Sequence, residues 1–291
     1  MNNPKVELAG VESDAFAKEI QLRALFRELG SVIVAYSGGV DSSYVAYVAN
    51  SELGMNAICV TGKSASLALY QRGEIDRVVK DFGFNHEVIQ TEELDNPSYR
   101  ANEGNRCYFC KDELYSKLES LAASRGIEFI VDGSTLDDLN DYRPGRQAAK
   151  EHAVRSPLIE VGINKAEVRE LSKSVKLPTW DKPASPCLSS RIAYGTPVTI
   201  ERLAKIDRGE EILRELGFKE FRVRNHDNLV RLEISPVEMD RVMNRELFEE
   251  LALRFRELGF KYVTLDLHGF RSGSMNEALS NQTETKSPNT D

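Results

Sequence analysis

The stretch that decides the fold reads Ile-Val-Ala-Tyr-Ser-Gly-Gly-Val-Asp-Ser-Ser and covers residues 33–43. Its first four residues are apolar or aromatic and predict a short buried strand, and the mostly apolar run at 44–49 predicts a helix. The glycines between the strand and the helix let an anion approach the backbone N–H groups. The positive N-terminal end of the helix points into the same space, and the serine hydroxyls add hydrogen-bond donors. We therefore predict a phosphate-binding loop. Its residues are Ser37, Gly38, Gly39, Asp41, Ser42 and Ser43.

Residues 37–42, Ser-Gly-Gly-Val-Asp-Ser, resemble the PP-loop of the N-type ATP pyrophosphatases. A Walker A loop is excluded, because no Gly-Lys-Ser/Thr follows the glycines. The resemblance implies that the loop holds the β- and γ-phosphates of ATP while the α–β bond is split and AMP moves onto a substrate oxygen. The alternative is an ordinary glycine-rich turn between a strand and a helix. Six matching residues at such a junction favour ATP binding.

Composition limits the classes of protein to consider. The chain has 291 residues, of which 41% are hydrophobic, so it has room for two domains. The formal net charge of −8 argues against a large nucleic-acid surface, which needs clustered lysine and arginine. No apolar run reaches membrane-spanning length, and the N-terminus lacks the apolar core of a signal peptide. We expect a cytoplasmic protein whose four cysteines are thiols or metal ligands rather than disulfides.

Strand and helix patterns alternate in the first part of the chain. Strands are predicted at 33–36, 57–61, 87–90 and 128–131, and helices at about 12–29, 70–82 and 112–124. This alternation predicts an α/β fold, in which a parallel sheet has helices on both faces and binds ligands at the carboxyl ends of its strands.

A second, smaller unit is predicted after the loop rich in proline and serine at 178–197. The patterns there give a small α+β domain with the order αββαβ, in which Arg-Glu-Leu-Gly-Phe-Lys occurs twice, at 214–219 and 256–261. The expected divisions are a PP-loop domain at 1–196, the small domain at 197–275 and a disordered polar tail at 276–291.

Three of the four cysteines are candidates for metal or sulfur chemistry. Cys107 and Cys110 form a C-x-x-C pair, which we place ahead of a helix and which suits redox chemistry, zinc or iron–sulfur ligation. Cys187 lies in the loop at 183–191, where it is either a third ligand or a spectator. Three thiolates can hold a [4Fe-4S] cluster with one iron left open, or a zinc ion with an exchangeable position. Cys59 is expected to be a packed core thiol.

An acidic segment follows the fourth predicted strand. Asp132-Gly133-Ser134-Thr135 comes first, which places Gly133 beside the phosphate loop, and Asp137, Asp138 and Asp141 crowd the next few positions. Mg²⁺ takes hard oxygen ligands and often bridges carboxylates to phosphates. The segment is therefore either a magnesium site or a solvated acidic loop.

Arginines on the strands of the second unit are candidates for anion binding. Arg222 and Arg224 are two residues apart on a strand and therefore project from one face. Two such guanidiniums repel unless an anion lies between them, and arginine binds phosphate in bidentate fashion. Arg271 follows the last strand, close to glycines. The alternative is that all three are surface charges, with Glu210 and Glu233 either as their partners or as ligands of a second metal.

Taken together, these segments closely resemble the LarE family of ATP-dependent sulfur transferases, which help to make a nickel-pincer nucleotide cofactor. The resemblance covers nearly the whole chain. The matching blocks are 37–43, 132–133, 140–145, 183–191, 194–196, 222–224, 264–267 and 269–273. The resemblance implies that ATP adenylates a carboxylate of pyridinium-3,5-biscarboxylic acid mononucleotide, and that sulfur then displaces AMP to leave a thiocarboxylate.

The resemblance also implies a source for the sulfur. Some members of the family sacrifice the sulfur of one cysteine, at the position of Cys187. Others carry a C-x-x-C pair as well and use a [4Fe-4S] cluster with an extra sulfide. Cys107 and Cys110 place this chain with the second group, so we expect a catalytic cluster and multiple turnovers. Sacrificial transfer from Cys187 is the alternative.

Roles for the remaining residues follow from the same resemblance. Arg222, Arg224 and Arg271 are expected to hold the substrate phosphate, and Glu210 and Glu233 are expected to bind a metal. The residues expected at the reacting centre are Cys187, Ser190 and Arg191. The expected cofactors are ATP, Mg²⁺ and the cluster. The expected partners are the nucleotide substrate, sulfide or another sulfur donor, and further copies of the chain in a homo-oligomer.

Two other functions stay open on the sequence. A tRNA thiolase also pairs a PP-loop with C-x-x-C and a third cysteine, but it predicts a basic surface, which the acidic charge balance disfavours. A regulatory ATP-binding protein without chemistry leaves the three cysteines without a role. We therefore expect neither a nucleic acid nor a membrane as partner.

Overall fold

The computed structural model describes residues 14–139 and 144–271. The helices are α1 (Asp14–Leu29), α2 (Val40–Leu53), α3 (Leu69–Phe82), α4 (Pro97–Arg100), α5 (Arg106–Arg125), α6 (Pro144–Glu151), α7 (Pro157–Glu160), α8 (Lys165–Ser174), α9 (Ile200–Glu215), α10 (Met239–Val242) and α11 (Arg245–Glu257). The strands are β1 (Val32–Ala35), β2 (Ala57–Lys63), β3 (His86–Gln90), β4 (Phe129–Val131), β5 (Phe221–His226), β6 (Leu229–Ile234) and β7 (Tyr262–Leu265). All predicted strands are present, with shifts of one or two residues at most ends.

The first four strands form a parallel sheet in the order β3–β2–β1–β4. Side chains of β1 alternate between its faces. Val32 and Val34 pack in the core that α1, α2 and α8 share, and Ile33 and Ala35 pack in the core of α5 and α6. The predicted α/β fold with helices on both faces is therefore confirmed. Since β2 and β4 flank β1 on opposite sides, the loop after β1 lies where such sheets bind ligands.

The last three strands form a second sheet in the order β5–β6–β7. β5 and β6 are antiparallel, β6 and β7 are parallel, and α9 and α11 contribute to the same core. The repeated phrase ends both helices, because Gly217 and Gly259 adopt φ of +81° and +90° and Phe218 and Phe260 are buried behind them. The predicted small α+β unit is present, and its exact boundaries stay a prediction.

The helix that carries the C-x-x-C pair begins earlier than predicted. α5 begins at Arg106 instead of near 112, so Cys107 and Cys110 lie in its first turns rather than ahead of it. The sequence prediction was wrong because this start lacks the apolar spacing that marks a helix. Positions three apart share one face of a helix, so the two sulfurs project from the same side of α5.

Some predicted features lie outside the described residues. They are Asp141 with the rest of 140–143, the end of the last matching block at 272–273, and the tail at 276–291. In the two described ranges, no helix combines the length and the apolar character needed to cross a membrane.

Candidate active site

The phosphate loop connects β1 to α2 at the carboxyl edge of the first sheet. Gly39 precedes the first residue of α2, and Gly38 lies in the left-handed region with φ of +69°. The hydroxyl oxygens of Ser37 and Ser42 lie 3.0 Å apart, and Ser42 Oγ accepts a hydrogen bond from Ser37 N–H at 3.3 Å. The loop thus folds back on itself in front of the α2 N-terminus, where an anion is favoured.

Close contacts explain two of the glycines. A Cβ at Gly133 would lie 2.7 Å from the backbone nitrogen of Ser42, so only glycine lets the loop after β4 approach the start of α2. A Cβ at Gly38 would lie 2.4 Å from Cγ1 of Ile75. Ser43 is fully buried, and its hydroxyl donates to a tyrosine hydroxyl at 3.4 Å. Gly133 therefore adjoins the phosphate loop.

Two lysines that sequence reasoning missed reach this loop from other segments. The ammonium of Lys182 donates to the Gly38 carbonyl at 3.2 Å and pairs with Glu74 at 2.6 Å. Lys165, the first residue of α8, has its ammonium 3.8 Å from Asp41. Both bring positive charge to a loop whose own motif contains no lysine or arginine.

Cys187 lies in the neighbourhood of the C-x-x-C pair. Burial raises the pKa of the Cys107 and Cys110 thiols, and the charge of Cys187 raises each of them further. Such an effect weakens with distance, so Cys187 lies within electrostatic range of both thiols. Across the described residues, however, no group of three or more histidine, cysteine or acidic side chains is arranged to hold a metal ion. Ligation of a cluster by the three sulfurs therefore stays a prediction.

A buried carboxylate that sequence reasoning missed, Glu93, acts electrostatically on Cys110 and raises the pKa of its thiol further, after burial and the charge of Cys187. Glu93 is 2% exposed, and one of its oxygens accepts a hydrogen bond from the Ser64 hydroxyl. The other oxygen is buried and has no hydrogen-bond partner in the described part of the chain. Nothing in the sequence distinguishes Glu93 from its acidic neighbours Glu92 and Asp95.

Buried hydroxyl groups fix the loop of Cys187 to the edge of the first sheet. Tyr99 Oη lies 2.7 Å from the hydroxyl oxygens of both Ser66 and Ser189, which are 3.0 Å from each other. The Leu188 N–H donates to the Ser66 carbonyl at 2.9 Å. Burial raises the pKa of Tyr99, and the charge of Cys187 raises it further. The protonated Tyr99 hydroxyl therefore adjoins the sulfur-bearing loop.

Asn102 joins the start of the cysteine helix to the segment beyond Cys187. It is fully buried, with φ of +56°, and its side-chain amide donates to the carbonyls of Ala193 and Thr196 at 2.8 and 2.9 Å. Its amide oxygen accepts a hydrogen bond from Arg106, the first residue of α5. These bonds set the position of α5 relative to the loop that follows Cys187.

Ser190 and Arg191 brace the backbone of Cys187. The Ser190 hydroxyl and the Arg191 guanidinium both donate to the Cys187 carbonyl, at 2.8 and 3.0 Å. Arg191 is 2% exposed, and its Nε pairs with Glu210 at 2.8 Å. Both predicted reacting-centre residues thus contact the sulfur-bearing loop, and their catalytic role stays a prediction.

Buried glutamates pair with the arginines of the second sheet. Nη2 of Arg224 lies 2.8 Å from Glu233, whose other oxygen pairs with Arg231 at 3.0 Å. Glu210, besides its contact described above, pairs with Arg214 at 3.3 Å. In the structure both glutamates are therefore arginine partners, one of the two roles considered from the sequence. Metal binding by them stays a prediction.

Arg222 differs from these arginines, because its hydrogen bonds go to backbone carbonyls. It donates to the carbonyls of Phe221 and Ala184, at 2.6 Å each, and its guanidinium lies 4.6 Å from the centre of the Phe270 ring. Burial lowers the pKa of Arg222 to about 10, and the charges of two neighbouring arginines act in the same direction. A guanidinium in such a place is stabilised by an incoming anion.

The remaining candidates make local contacts. The guanidinium of Arg271, after β7, lies 3.6 Å from Asp266. Asp137 accepts a hydrogen bond from the Lys165 backbone N–H at 2.7 Å, and Asp138 accepts one from the backbone N–H three residues before it at 2.9 Å. These two carboxylates shape the loop after β4, and their binding of magnesium stays a prediction.

Cys59 takes no part in this site. It is fully buried in β2, and the Asn50 amide donates to its sulfur at 3.1 Å. Burial raises the pKa of Cys59 to about 12. The prediction of a packed core thiol is confirmed.

Comparison with known proteins gives two relatives that span about nine tenths of the chain and a more distant one that spans about two thirds. An uncharacterized protein of Synechocystis sp. is 48% identical over 258 residues, which are 89% of this chain and 96% of that protein. The pyridinium-3,5-bisthiocarboxylic acid mononucleotide synthase of Lactiplantibacillus plantarum is 37% identical over 272 residues, 90% of this chain and 95% of the synthase. A probable tRNA sulfurtransferase of Methanobrevibacter smithii is 26% identical over 202 residues, 66% and 51% of the two chains. No family model matches the chain.

These relatives differ in how much of the chain they share. The similarity to the L. plantarum synthase covers 90% of the chain, whereas the tRNA sulfurtransferase shares a smaller part at lower identity. The protein is an ATP-dependent sulfurtransferase of the PP-loop type. The chain belongs to the LarE family of sulfur transferases.

Proposed function

We propose that the protein converts a carboxylate of pyridinium-3,5-biscarboxylic acid mononucleotide into a thiocarboxylate, as a step in making a nickel-pincer nucleotide cofactor. The L. plantarum relative is named as the synthase of the corresponding bisthiocarboxylic compound. The observation that carries the proposal is Arg222, whose pKa is lowered and which donates to Ala184, three residues before Cys187. A phosphate bound by Arg222 relieves the repulsion and holds its nucleotide beside the sulfur site.

Adenylation of the substrate explains the need for ATP. A carboxylate resists attack by a sulfur nucleophile, and attachment of AMP supplies a good leaving group. The loop at 37–43 presents N–H groups and the α2 N-terminus to the β- and γ-phosphates. These preorganised dipoles stabilise the negative charge that develops on pyrophosphate as it leaves. Mg²⁺ accompanies ATP in this proposal, because it bridges phosphate oxygens.

The substrate phosphate is proposed to lie among Arg222, Arg224 and Arg271. Arg222 gains most from an anion, because its present partners are carbonyl groups. Arg224 shares its charge with Glu233, so it contributes less. A second metal at Glu210 or Glu233 would have to displace their arginine partners.

The sulfur site is proposed to comprise Cys107, Cys110 and Cys187. The donor set suits a metal cluster, because two thiols share one face of α5 and the charge of Cys187 acts on both. Burial raises the pKa of the Cys107 thiol, and the positive charges of Arg106 and Lys111 offset part of that rise. Cys107, Cys110 and Cys187 would hold a [4Fe-4S] cluster, which would supply an iron without a protein ligand for sulfide or another sulfur donor. The braces around Cys187 would keep its sulfur in place for this role.

The experiment supplies the mononucleotide, ATP and sulfide to protein purified without oxygen. Iron and labile sulfide are counted first, pyrophosphate and product mass are then followed over many turnovers, and the protein is weighed afterwards. We expect about four irons per chain, many products per chain and an unchanged protein mass. Cys187→Ser loses both iron and product, whereas the control Cys59→Ser, which removes a buried thiol outside the site, keeps both.

Each alternative gives a different result in the same experiment. A mass loss at Cys187 in protein without iron would favour sacrificial transfer. Sulfur appearing in tRNA, with the mononucleotide unchanged, would favour a tRNA thiolase. No pyrophosphate release with either substrate would contradict adenylation altogether.

A further inference from the structure

We propose that Arg146 and Lys150 bind the ring carboxylate of the substrate that is not being adenylated. The inference rests on the proposed function and adds to it a site that determines substrate specificity. Both residues line a cavity of about 710 Å³ between α5, α6 and the loop after β4. A cavity of this volume is in the range of small-molecule sites.

The proposed substrate needs such a site because it carries two ring carboxylates. ATP activates one of them at a time, and the second carboxylate stays ionised at neutral pH. A carboxylate that loses water without gaining a cation is strongly destabilised. The arginines proposed for the substrate phosphate are taken up by that group, so the second carboxylate needs cations elsewhere.

Two positive charges in the cavity have no ion-pair partner. Arg146 and Lys150 are four residues apart on α6 and therefore share one face of that helix. The Arg146 guanidinium donates to the Asp138 carbonyl at 3.0 Å, but across the described ranges neither residue forms an ion pair. None of the described lining residues is acidic. Like charges at this spacing repel one another, so a carboxylate between them stabilises the site.

Two acids that contact the cavity lining are held by neutral donors. Asp132 accepts hydrogen bonds from the hydroxyls of Ser134 and Ser156, at 2.8 Å each. Glu151, next to Lys150 in the chain, accepts hydrogen bonds from two lining residues at 2.6 Å each. These carboxylates already have hydrogen-bond partners, so the two cations stay available to a ligand.

The cavity adjoins both the phosphate loop and the cysteine helix. Ser134, which lines it, follows Gly133, the glycine that packs against the start of α2. A Cβ at Gly145 would lie 3.4 Å from the Cys107 carbonyl oxygen, so the start of α6 packs against the first turn of α5. Asn105, which precedes α5 and makes no side-chain hydrogen bond to that helix end, adds a neutral donor. The reacting carboxylate must meet both ATP and sulfur, so its ring lies near this cavity.

The test uses two mononucleotides that differ by one carboxylate. Pyridinium-3,5-biscarboxylic acid mononucleotide has both groups, and pyridinium-3-carboxylic acid mononucleotide has only the one that reacts. Pyrophosphate release with ATP and Mg²⁺ is followed on the full chain, because in this step a carboxylate oxygen displaces pyrophosphate from the α-phosphorus. We expect kcat/KM to be about 10- to 100-fold higher for the biscarboxylic compound. Lys150→Met and Arg146→Met should each lower that value about tenfold and change kcat/KM for the monocarboxylic compound by less than about threefold.

Lys80→Met is the matched control. Lys80 and Lys150 are exposed lysines in the last turns of α3 and α6, so each replacement removes a favourable charge at a helix C-terminus. Lys80 is not among the described residues that line the cavity. K80M should therefore keep both values of kcat/KM and the ratio between them.

The outcomes separate this inference from the function on which it rests. Unchanged protein that releases pyrophosphate with neither compound overturns both. Release with the two compounds at equal kcat/KM overturns the inference alone. The same holds for a K150M that keeps the full preference, or that loses kcat/KM for both compounds by the same factor. Should R146M fail to fold, K150M decides by these criteria, because Lys150 is exposed.

Discussion

Replacing Arg222 by methionine should make the free protein more stable and its substrate binding weaker. The pKa of Arg222 falls from its usual 12.5 to about 10, because of burial and then of the neighbouring guanidiniums. One pKa unit corresponds to about 1.4 kcal/mol, so holding this charge in the fold costs about 3 kcal/mol. For a base, a lowered pKa means that the cost is present at every pH below about 10, including neutral pH.

Removing the buried charge of Arg222 stabilises the free protein, but the substitution also removes contacts that offset part of this stabilisation. Methionine retains an unbranched apolar stem against the Phe270 ring, but it loses the two hydrogen bonds to the carbonyls of Phe221 and Ala184. Each such bond contributes about 0.5–1.5 kcal/mol. We therefore expect R222M to raise the free energy of unfolding of the ligand-free protein by about 1 kcal/mol. Affinity for the mononucleotide should fall by about 10- to 100-fold, since one phosphate contact is lost.

Urea unfolding and calorimetric titration measure the two effects, and Arg224→Met is the matched control. Arg224 lies two residues along the same strand and pairs with buried Glu233, so its loss leaves that carboxylate with Arg231 as its remaining ion-pair partner described above. R224M should destabilise the free protein by about 2–3 kcal/mol. A destabilised R222M, or an R222M that binds the mononucleotide as well as the unchanged protein, would refute the reasoning.

Three further predictions concern packing and pH. Gly133→Ala forces a Cβ against the backbone of α2, so it should destabilise the protein by more than about 2 kcal/mol in urea unfolding and abolish ATP binding. The control Gly73→Ala adds a Cβ in open space within α3 and should stabilise the protein by about 0.5–1 kcal/mol. Tyr99→Phe leaves two buried serines without their shared partner and should lower the free energy of unfolding by about 1–2 kcal/mol; a neutral effect would contradict the brace. Burial lowers the pKa of His152, but hydrogen bonds to Asp112 and Glu119 outweigh it and raise that pKa, so the stability from this histidine is complete below about pH 6.5 and is lost as the pH rises through the raised value. NMR titration should give a lower His152 pKa in Asp112→Asn, and an unchanged value would contradict the assignment.

The phosphate loop and the sheet could be predicted because their signals are local. A strand, two glycines, hydroxyls and a helix start follow one another within residues 33–49, and their chemistry does not depend on distant parts of the chain. The alternation of strands and helices likewise limits the topology to a parallel sheet. The start of α5 was missed because Cys107 and Cys110 occupy positions that an apolar pattern would fill.

Contacts over long distances in the chain could not be predicted in the same way. Lys165 had a local signal, since Asn164 and Glu167 form a capping box that marks it as the first residue of a helix. Which loop that lysine reaches depends on how α8 packs. In the second sheet, Arg222 is directly opposite Glu233, yet Glu233 pairs with Arg224 on the diagonal. Strand register and side-chain rotamers decide between these two pairings, and neither can be read from residue spacing.

One ten-residue segment, 182–191, touches both halves of the molecule. Gln71 of α3 donates to the Ser185 carbonyl of this segment, and Arg224 of β5 donates to its Ser190 carbonyl. A laboratory chimera that received this stretch from a homologue would import Lys182, which contacts the phosphate loop, together with Cys187. The same constraint applies in evolution. A residue inserted or deleted between Lys182 and Cys187 would change the distance between the contact with the phosphate loop and the sulfur, so neither position can shift without the other.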